Sequence, residues 1–125
     1  MAAAKHFTEL ICWQLATQLK VGIYLVARRS DIRRDRRFHE QLVDAAASAP
    51  RNIAEGFGRR TNAEFARFLD IARASLTESQ NHLIDAADRG YLTKQESATL
   101  TILAKRSCGA VAALQRYLRD RRDTQ

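Results

Sequence analysis

The sequence of 125 residues is 46% hydrophobic and carries 21 Lys and Arg against 14 Asp and Glu, which gives a net charge of +7. This length suits one domain with a single core, and the apolar fraction excludes a disordered chain. No apolar run approaches the ~20 residues that span a bilayer, and the first residues lack the apolar segment of a secretory signal. We therefore expect a cytoplasmic protein that binds no membrane, and the charge favours a polyanionic partner.

The first predicted helix covers about residues 8–29 and is apolar over an unusually wide part of its circumference. Apolar residues recur with a helical period along nearly the whole chain, and no strand pattern is found. Beside the core stripe of this helix runs a second apolar stripe, which is more than one core contact requires. Four of its residues are predicted to lie at an interface between subunits: Leu10, Trp13, Val21 and Tyr24.

Three further helices are predicted over about residues 36–57, 62–89 and 94–119. The first of these contains Pro50, which removes one helical hydrogen bond and predicts a kink. The other two begin with capping boxes, Thr61 with Glu64 and Thr93 with Glu96. Four long helices with short connections predict a single all-α domain over residues 1–125, folded as an antiparallel up-down four-helix bundle.

Most of the positive charge lies in the first connection, since residues 28–37 contain six Arg and two Asp. Arg presents a planar fork that holds phosphate through two hydrogen bonds, so this stretch suits a nucleic-acid ligand, whereas a GC-rich genome would give the same excess of Arg over Lys with no function attached. Of these alternatives we favour nucleic-acid binding, with RNA before DNA. The predicted nucleic-acid-binding residues are Arg28, Arg29, Arg33, Arg34, Arg36, Arg37, Arg59 and Arg60. Such binding would weaken steeply with salt and show little sequence preference.

Residues 42–59, LVDAAASAPRNIAEGFGR, form the most specific motif of the chain. The motif resembles the central motif of the four-helix-bundle proteins encoded in intervening sequences of bacterial 23S rRNA genes. Supporting matches are residues 64–78, 90–92 and 13–16, and the resemblance covers about residues 7–118. It implies a ring-like homo-oligomer, typically a pentamer, and no defined reaction. A related branch is the accessory protein of diversity-generating retroelements, which implies nucleic acid and a reverse transcriptase as further possible partners.

Several positions depart from this family pattern. The usual Phe-Pro pair of the first connection is replaced by the Arg-rich stretch around Ile32. Two basic residues usually follow the motif's first Leu, and here these positions are Val43 and Asp44. The resemblance therefore does not extend to a basic face on the second helix, and the Arg-rich connection is the place where a compensating surface is expected.

Four residues of the motif are interpreted as structural: Pro50, Asn52, Glu55 and Gly56. The Asn side chain would satisfy carbonyl groups that the kink frees, and Glu55 would pair with Arg59 one turn later. Gly56 would help to end the helix. The alternative is that Asn52 and Glu55 form a polar site at a junction between subunits.

Two alternative functions come from other patterns in the chain. The second stripe of the first helix also suits a protein-interaction module that binds no nucleic acid. Arg34 and His39 match the R-x4-H spacing of HEPN-type ribonucleases, in which Arg holds phosphate and His assists attack by the 2′-hydroxyl. Because this spacing arises easily in an Arg-rich stretch, we predict no enzyme and no catalytic residue.

No cofactor or metal ion is predicted from the remaining candidate residues. His6 and His82 have no further ligand at a metal-binding spacing. Cys12 and Cys108 lie on or beside core stripes and are interpreted as small hydrophobic residues.

Overall fold

Residues 4–121 are described by the computed structural model, and they form four long helices with a short helix in the first connection. A 3-10 turn at Phe7–Glu9 precedes the helices. The helices are α1 (Ile11–Ala27), α2 (Ser30–Arg34), α3 (Arg36–Phe57), α4 (Asn62–Asp88) and α5 (Lys94–Arg121). Within residues 4–121 there is no strand, and the predicted all-α four-helix bundle is confirmed.

The long helices follow one another around the bundle. Helix α1 packs against α3 and α5, and α4 packs against the same two helices from the opposite corner. Apolar residues one and two turns apart on each helix meet in one core, which includes Leu19, Ile23, Leu42, Ile53, Leu69, Leu76, Leu83 and Val111. Cys12 is buried in this core, in line with its interpretation as a small hydrophobic residue, and the same burial raises the pKa of its thiol to about 11.

The first connection is more ordered than its composition suggests. Residues 30–34 form helix α2, which was not predicted, and the side chain of Ile32 is fully buried in the core. The first long helix was predicted over residues 8–29, but it begins at Ile11 after the 3-10 turn. Ile32 therefore fixes the Arg-rich segment against the end of the bundle, and the neighbouring arginines project from a defined surface.

The family motif joins α3 to α4. Pro50 lies inside α3 and is buried, while the kink that it predicts stays a prediction. The Asn52 side-chain amide donates to the Ser48 carbonyl oxygen at 2.8 Å and lies 3.0 Å from the Ser48 hydroxyl. That hydroxyl is 2.7 Å from the hydroxyl of Ser75 on α4. Asn52 thus supports a polar contact between two helices, in line with its structural interpretation.

At Gly56, α3 approaches α4 closely. A Cβ atom at this position would lie 2.8 Å from the Cβ of Phe68 and 3.2 Å from the carbonyl oxygen of Phe65. Neither atom belongs to the free end of a flexible side chain, so an added methyl group would push the two helices apart. The motif therefore requires glycine here for close packing, and not for the predicted helix end, because Gly56 lies inside α3 and does not have a positive φ.

Replacing Gly56 by Ala is expected to lower the free energy of unfolding by about 1–2 kcal/mol, because overpacking outweighs the helix propensity gained. Gly109→Ala is the matched control, since a Cβ at this position of α5 would meet nothing within 4 Å. The control is expected to raise stability by about 0.5–1 kcal/mol. Urea denaturation of both variants measures these changes, and equal stabilisation in both would show that α3 and α4 are less tightly packed at Gly56.

Candidate nucleic-acid interface

The antiparallel topology brings the first connection and the α4–α5 turn to the same end of the bundle. Arg29 crosses between them and donates to both carboxylate oxygens of Glu96, at 3.1 and 2.5 Å. It also donates to the Tyr91 carbonyl oxygen at 3.2 Å. Arg29 was predicted to bind nucleic acid, but its guanidinium group already has partners inside the protein.

A second contact between the same segments centres on Asp35, the residue between α2 and α3. One carboxylate oxygen of Asp35 accepts hydrogen bonds from Tyr91 and Arg89, both at 2.7 Å. The hydrogen bond from Tyr91, together with the Arg89 charge, lowers the pKa of Asp35. The same bond raises the pKa of the Tyr91 hydroxyl. This bond fixes Tyr91 against the end of the bundle.

Glu96 both caps the beginning of α5 and binds Arg29 in the contact between the two connections. Its carboxylate accepts from the Thr93 amide at 2.9 Å, and the Thr93 hydroxyl accepts from the Glu96 amide at 3.0 Å, which completes the predicted capping box. The hydrogen bonds from Arg29, followed by that from the Thr93 amide, lower the pKa of Glu96 from 4.5 to about 2. Ionised Glu96 is therefore favoured by folding.

The coupling between Arg29 and Glu96 is expected to depend on pH. Because folding lowers the pKa of Glu96, its stabilising effect is complete above the ordinary pKa of 4.5 and is lost as the pH falls towards about 2. A double-mutant cycle with Arg29→Gln and Glu96→Gln, followed by thermal unfolding, should give a positive coupling at neutral pH. The coupling should vanish at the acid end of this range, and a coupling that is unchanged there would show that the pair is not ionic.

Five arginines of the same segment are exposed and form no ion pair with any carboxylate in residues 4–121. We call this surface the arginine patch: Arg28, Arg33, Arg34, Arg36 and Arg37. Neither acidic residue of the segment forms an ion pair with a patch arginine: Asp35 pairs with Arg89, and Asp31 accepts from the Ile32 amide. The patch is thus a cluster of free guanidinium groups on a fixed backbone.

Part of the patch borders an open cleft of about 310 Å³ between the end of α1 and the beginning of α3. We call it the arginine cleft, and its lining residues are Tyr24, Ala27, Arg28, Arg33, His39 and Val43. None of these is acidic. His39 lies in the cleft beside Arg33 rather than Arg34, so the residues of the R-x4-H spacing are not both in this cleft.

Arg59 and Arg60, also predicted to bind nucleic acid, lie at the opposite end of the bundle. The 22 residues of α3 separate them from the arginine patch by about 33 Å. Arg59 is 3.7 Å from Glu55, as the sequence predicted, and its guanidinium lies 4.6 Å from the centroid of the Phe68 ring. These two arginines therefore cannot extend the patch within one subunit.

The predicted interface residues on α1 do not form one exposed stripe. Leu10 is buried in the core of the same subunit, and half-buried Trp13 packs against Phe7 with ring centroids 5.4 Å apart. Val21 is 50% exposed and Tyr24 38%, so only these two remain available. Leu10 lies between the 3-10 turn and α1, and its side chain packs inside the subunit rather than on the surface where an interface was predicted.

The exposed apolar residues instead form two surfaces. On α1, the exposed residues Ile11, Val21 and Leu25 point within an arc of about 80°, because successive residues of an α-helix are about 100° apart, so they share one face. We call this the α1 face. On the other side, Ile84 of α4 and Ile102 of α5 are more than half exposed and border a second cleft of about 420 Å³ between these helices. We call it the α4–α5 cleft.

The histidines and acidic residues do not form a further site. His82 is buried beside Glu78 at 3.2 Å, and His6 caps the 3-10 turn with Glu9. No group of three potential metal ligands is found among residues 4–121. In the same part of the chain, no helix is long and apolar enough to cross a membrane.

A basic four-helix bundle with free arginines at one end is the class of protein that these features define. The family model for the 23S rRNA-intervening sequence protein matches residues 8–112. The chain therefore belongs to this family, as the motif at residues 42–59 predicted. No individual curated protein matches the sequence.

Proposed function

We propose that the protein is a non-enzymatic homo-oligomer that binds nucleic acid, RNA before DNA, through the arginine patch. The observation that carries this proposal is that five neighbouring arginines have no carboxylate partner, although Arg29 and Arg89 in the same region do. An exposed cluster of like charges repels itself and is relieved by a polyanion. Phosphate groups match the planar fork of each guanidinium.

The position of Arg36 and Arg37 suits residues that bind a ligand better than residues that stabilise the fold. Helix α3 begins with Arg36 and Arg37, and its first turn contains no acidic residue. The positive end of a helix dipole disfavours cations there by about 0.3–1 kcal/mol each. These arginines therefore weaken the helix that carries them, whereas a bound phosphate would be attracted by both the arginines and the helix end.

RNA is the first polyanion to test because the family takes its name from an intervening sequence of 23S rRNA. Contacts to phosphate alone carry no sequence information, so we expect broad specificity and strong dependence on salt. An oligomer would present several patches at once, and multivalent contact would raise the overall affinity. Retention of single-stranded RNA by the purified protein at low salt tests the proposal, and no retention of RNA or DNA there refutes it.

The oligomer that we propose is a ring, for which the family resemblance implies a pentamer. A patch that pairs with its own copy gives a closed dimer, whereas two different complementary patches give a ring or a filament. The α1 face and the α4–α5 cleft are two such patches, and they lie on different sides because α1 and α4 occupy opposite corners. Burial of one subunit's α1 face in its neighbour's cleft would cover both.

The second candidate function is a protein-interaction module that binds no nucleic acid. It is supported by the exposed Ile84 and Ile102, since large apolar residues around a cleft are typical of contact surfaces. If the chain belongs to the retroelement branch, a reverse transcriptase is the partner to test. An oligomer that captures such a partner without RNA would favour this function.

A further inference from the structure

We infer that the arginine cleft holds one nucleotide unit of single-stranded RNA, with its phosphate on Arg28 and Arg33 and its base against Tyr24. This inference rests on the proposed function and assigns the place on the protein where a base, and not only phosphate, is contacted. The α4–α5 cleft, which belongs to the proposed assembly, is lined by Asp88 as well as by Lys94 and Lys105 and has no aromatic residue, whereas the arginine cleft combines cations with an aromatic ring and has no acidic residue.

The polar groups of the cleft match a phosphate. Arg28 follows the end of α1 and Arg33 lies in α2, so arginines from two different segments line the cleft. His39 on α3 adds a ring nitrogen that can donate a hydrogen bond to a phosphate oxygen. None of the lining residues is acidic, so nothing in the lining opposes an anion.

The apolar part of the cleft matches a base. Tyr24 precedes Arg28 by one helical turn and is 38% exposed, which is high for an aromatic side chain that also borders a cleft. Ala27 and Val43 complete the apolar lining. The Lys20 ammonium lies 5.9 Å from the centroid of the Tyr24 ring and places another cation beside it. A ring with neighbouring cations is the usual element for stacking an unpaired base.

The cleft is large enough for a single nucleotide. Its volume of about 310 Å³ lies at the lower end of the range for small-ligand sites, which is about 300–1,000 Å³. A base can stack on a side chain only when it is not paired in a duplex. Stacking on Tyr24 therefore favours single strands, loops or ends over duplex RNA.

Photocrosslinking of a short single-stranded RNA that contains 4-thiouridine, followed by mass spectrometry, locates the base directly. We expect the crosslink in the segment around Tyr24 or His39. Tyr24→Leu should weaken RNA binding about 5- to 20-fold without changing the charge, whereas Tyr24→Phe should bind like the parent because it keeps the ring. Size-exclusion chromatography of both variants checks that the fold and the oligomer are retained.

Two further variants separate the phosphate contact from general electrostatics. Arg28→Gln with Arg33→Gln should weaken binding of the same RNA more than Arg106→Gln with Arg116→Gln, which removes the same charge from exposed positions of α5. The cleft assignment would be overturned if the crosslinks lay elsewhere, if both double variants lost RNA affinity equally and if Tyr24→Leu lost none. RNA binding itself would then still stand.

Failure of the parent to bind RNA refutes the proposed function. Adenosine monophosphate then tests the cleft alone, since protection of Tyr24 from iodination supports a nucleotide site and no protection overturns it.

Discussion

RNA binding is expected to fall about 10- to 100-fold near physiological salt when Arg34, Arg36 and Arg37 are all replaced by Gln. Each phosphate contact to a single strand contributes about 0.7 to the slope of log affinity against log salt, so three lost contacts should lower that slope by about 2. Fluorescence anisotropy of a labelled single-stranded RNA at several salt concentrations measures both quantities. The affinities of parent and variant should converge as salt rises, because the lost term is electrostatic.

The matched control removes three exposed arginines outside the patch, Arg51, Arg106 and Arg116, and gives the same net charge. Because these residues are distributed over α3 and α5, we expect a loss well below that of the patch variant. Equal losses would show that only the total charge matters, and the patch would then have no role as a site. The patch variant should be at least as stable as the parent, because two of its cations oppose the dipole of α3.

Local rules were enough to predict the long helices. The predicted and observed ranges of α3 agree, and α4 and α5 begin after Thr61 and Thr93, whose hydroxyl groups cap them as predicted. The capping box is complete only at Thr93, because Glu64 accepts from the hydroxyl of Thr61 and not from its amide. A period of 3.6 residues and a capping side chain act within a few residues, so both are visible in the sequence. Helix α2 was missed because Ile32 is a single apolar residue among arginines, and one residue defines no period.

The site could be predicted only in part, because its partners are distant in sequence. The pairing of Glu55 with Arg59 follows from their separation by one turn, whereas Arg29 and Glu96 are 67 residues apart and meet only because two connections share a bundle end. The separation of Arg59 from the patch follows from the length of α3 and could have been inferred from the predicted helices. The distribution of charge in the sequence therefore identified the Arg-rich segment. Which of its arginines lack a carboxylate partner depends on the topology of the bundle.

Assembly can be tested by breaking each apolar surface separately. Variant A carries Val21→Gln and Leu25→Gln on the α1 face, and variant B carries Ile84→Gln and Ile102→Gln at the α4–α5 cleft. All four side chains are at least half exposed in the subunit, so the helix content should be unchanged. If the side chains are buried between subunits, each contact loses about 3–6 kcal/mol, which is more than 100-fold in its dissociation constant. Either variant alone should then be monomeric by light scattering.

A mixture of the two variants distinguishes a head-to-tail contact, which a ring requires, from an α1 face that pairs with its own copy. Variant A keeps an intact cleft and variant B keeps an intact α1 face, so one contact can still form and the mixture should contain a heterodimer and nothing larger. If the α1 face instead paired with its own copy, variant A would be monomeric, variant B would assemble like the parent, and mixing would restore nothing. Because a ring requires both surfaces in every subunit, the heterodimer is the outcome that only a head-to-tail contact can produce.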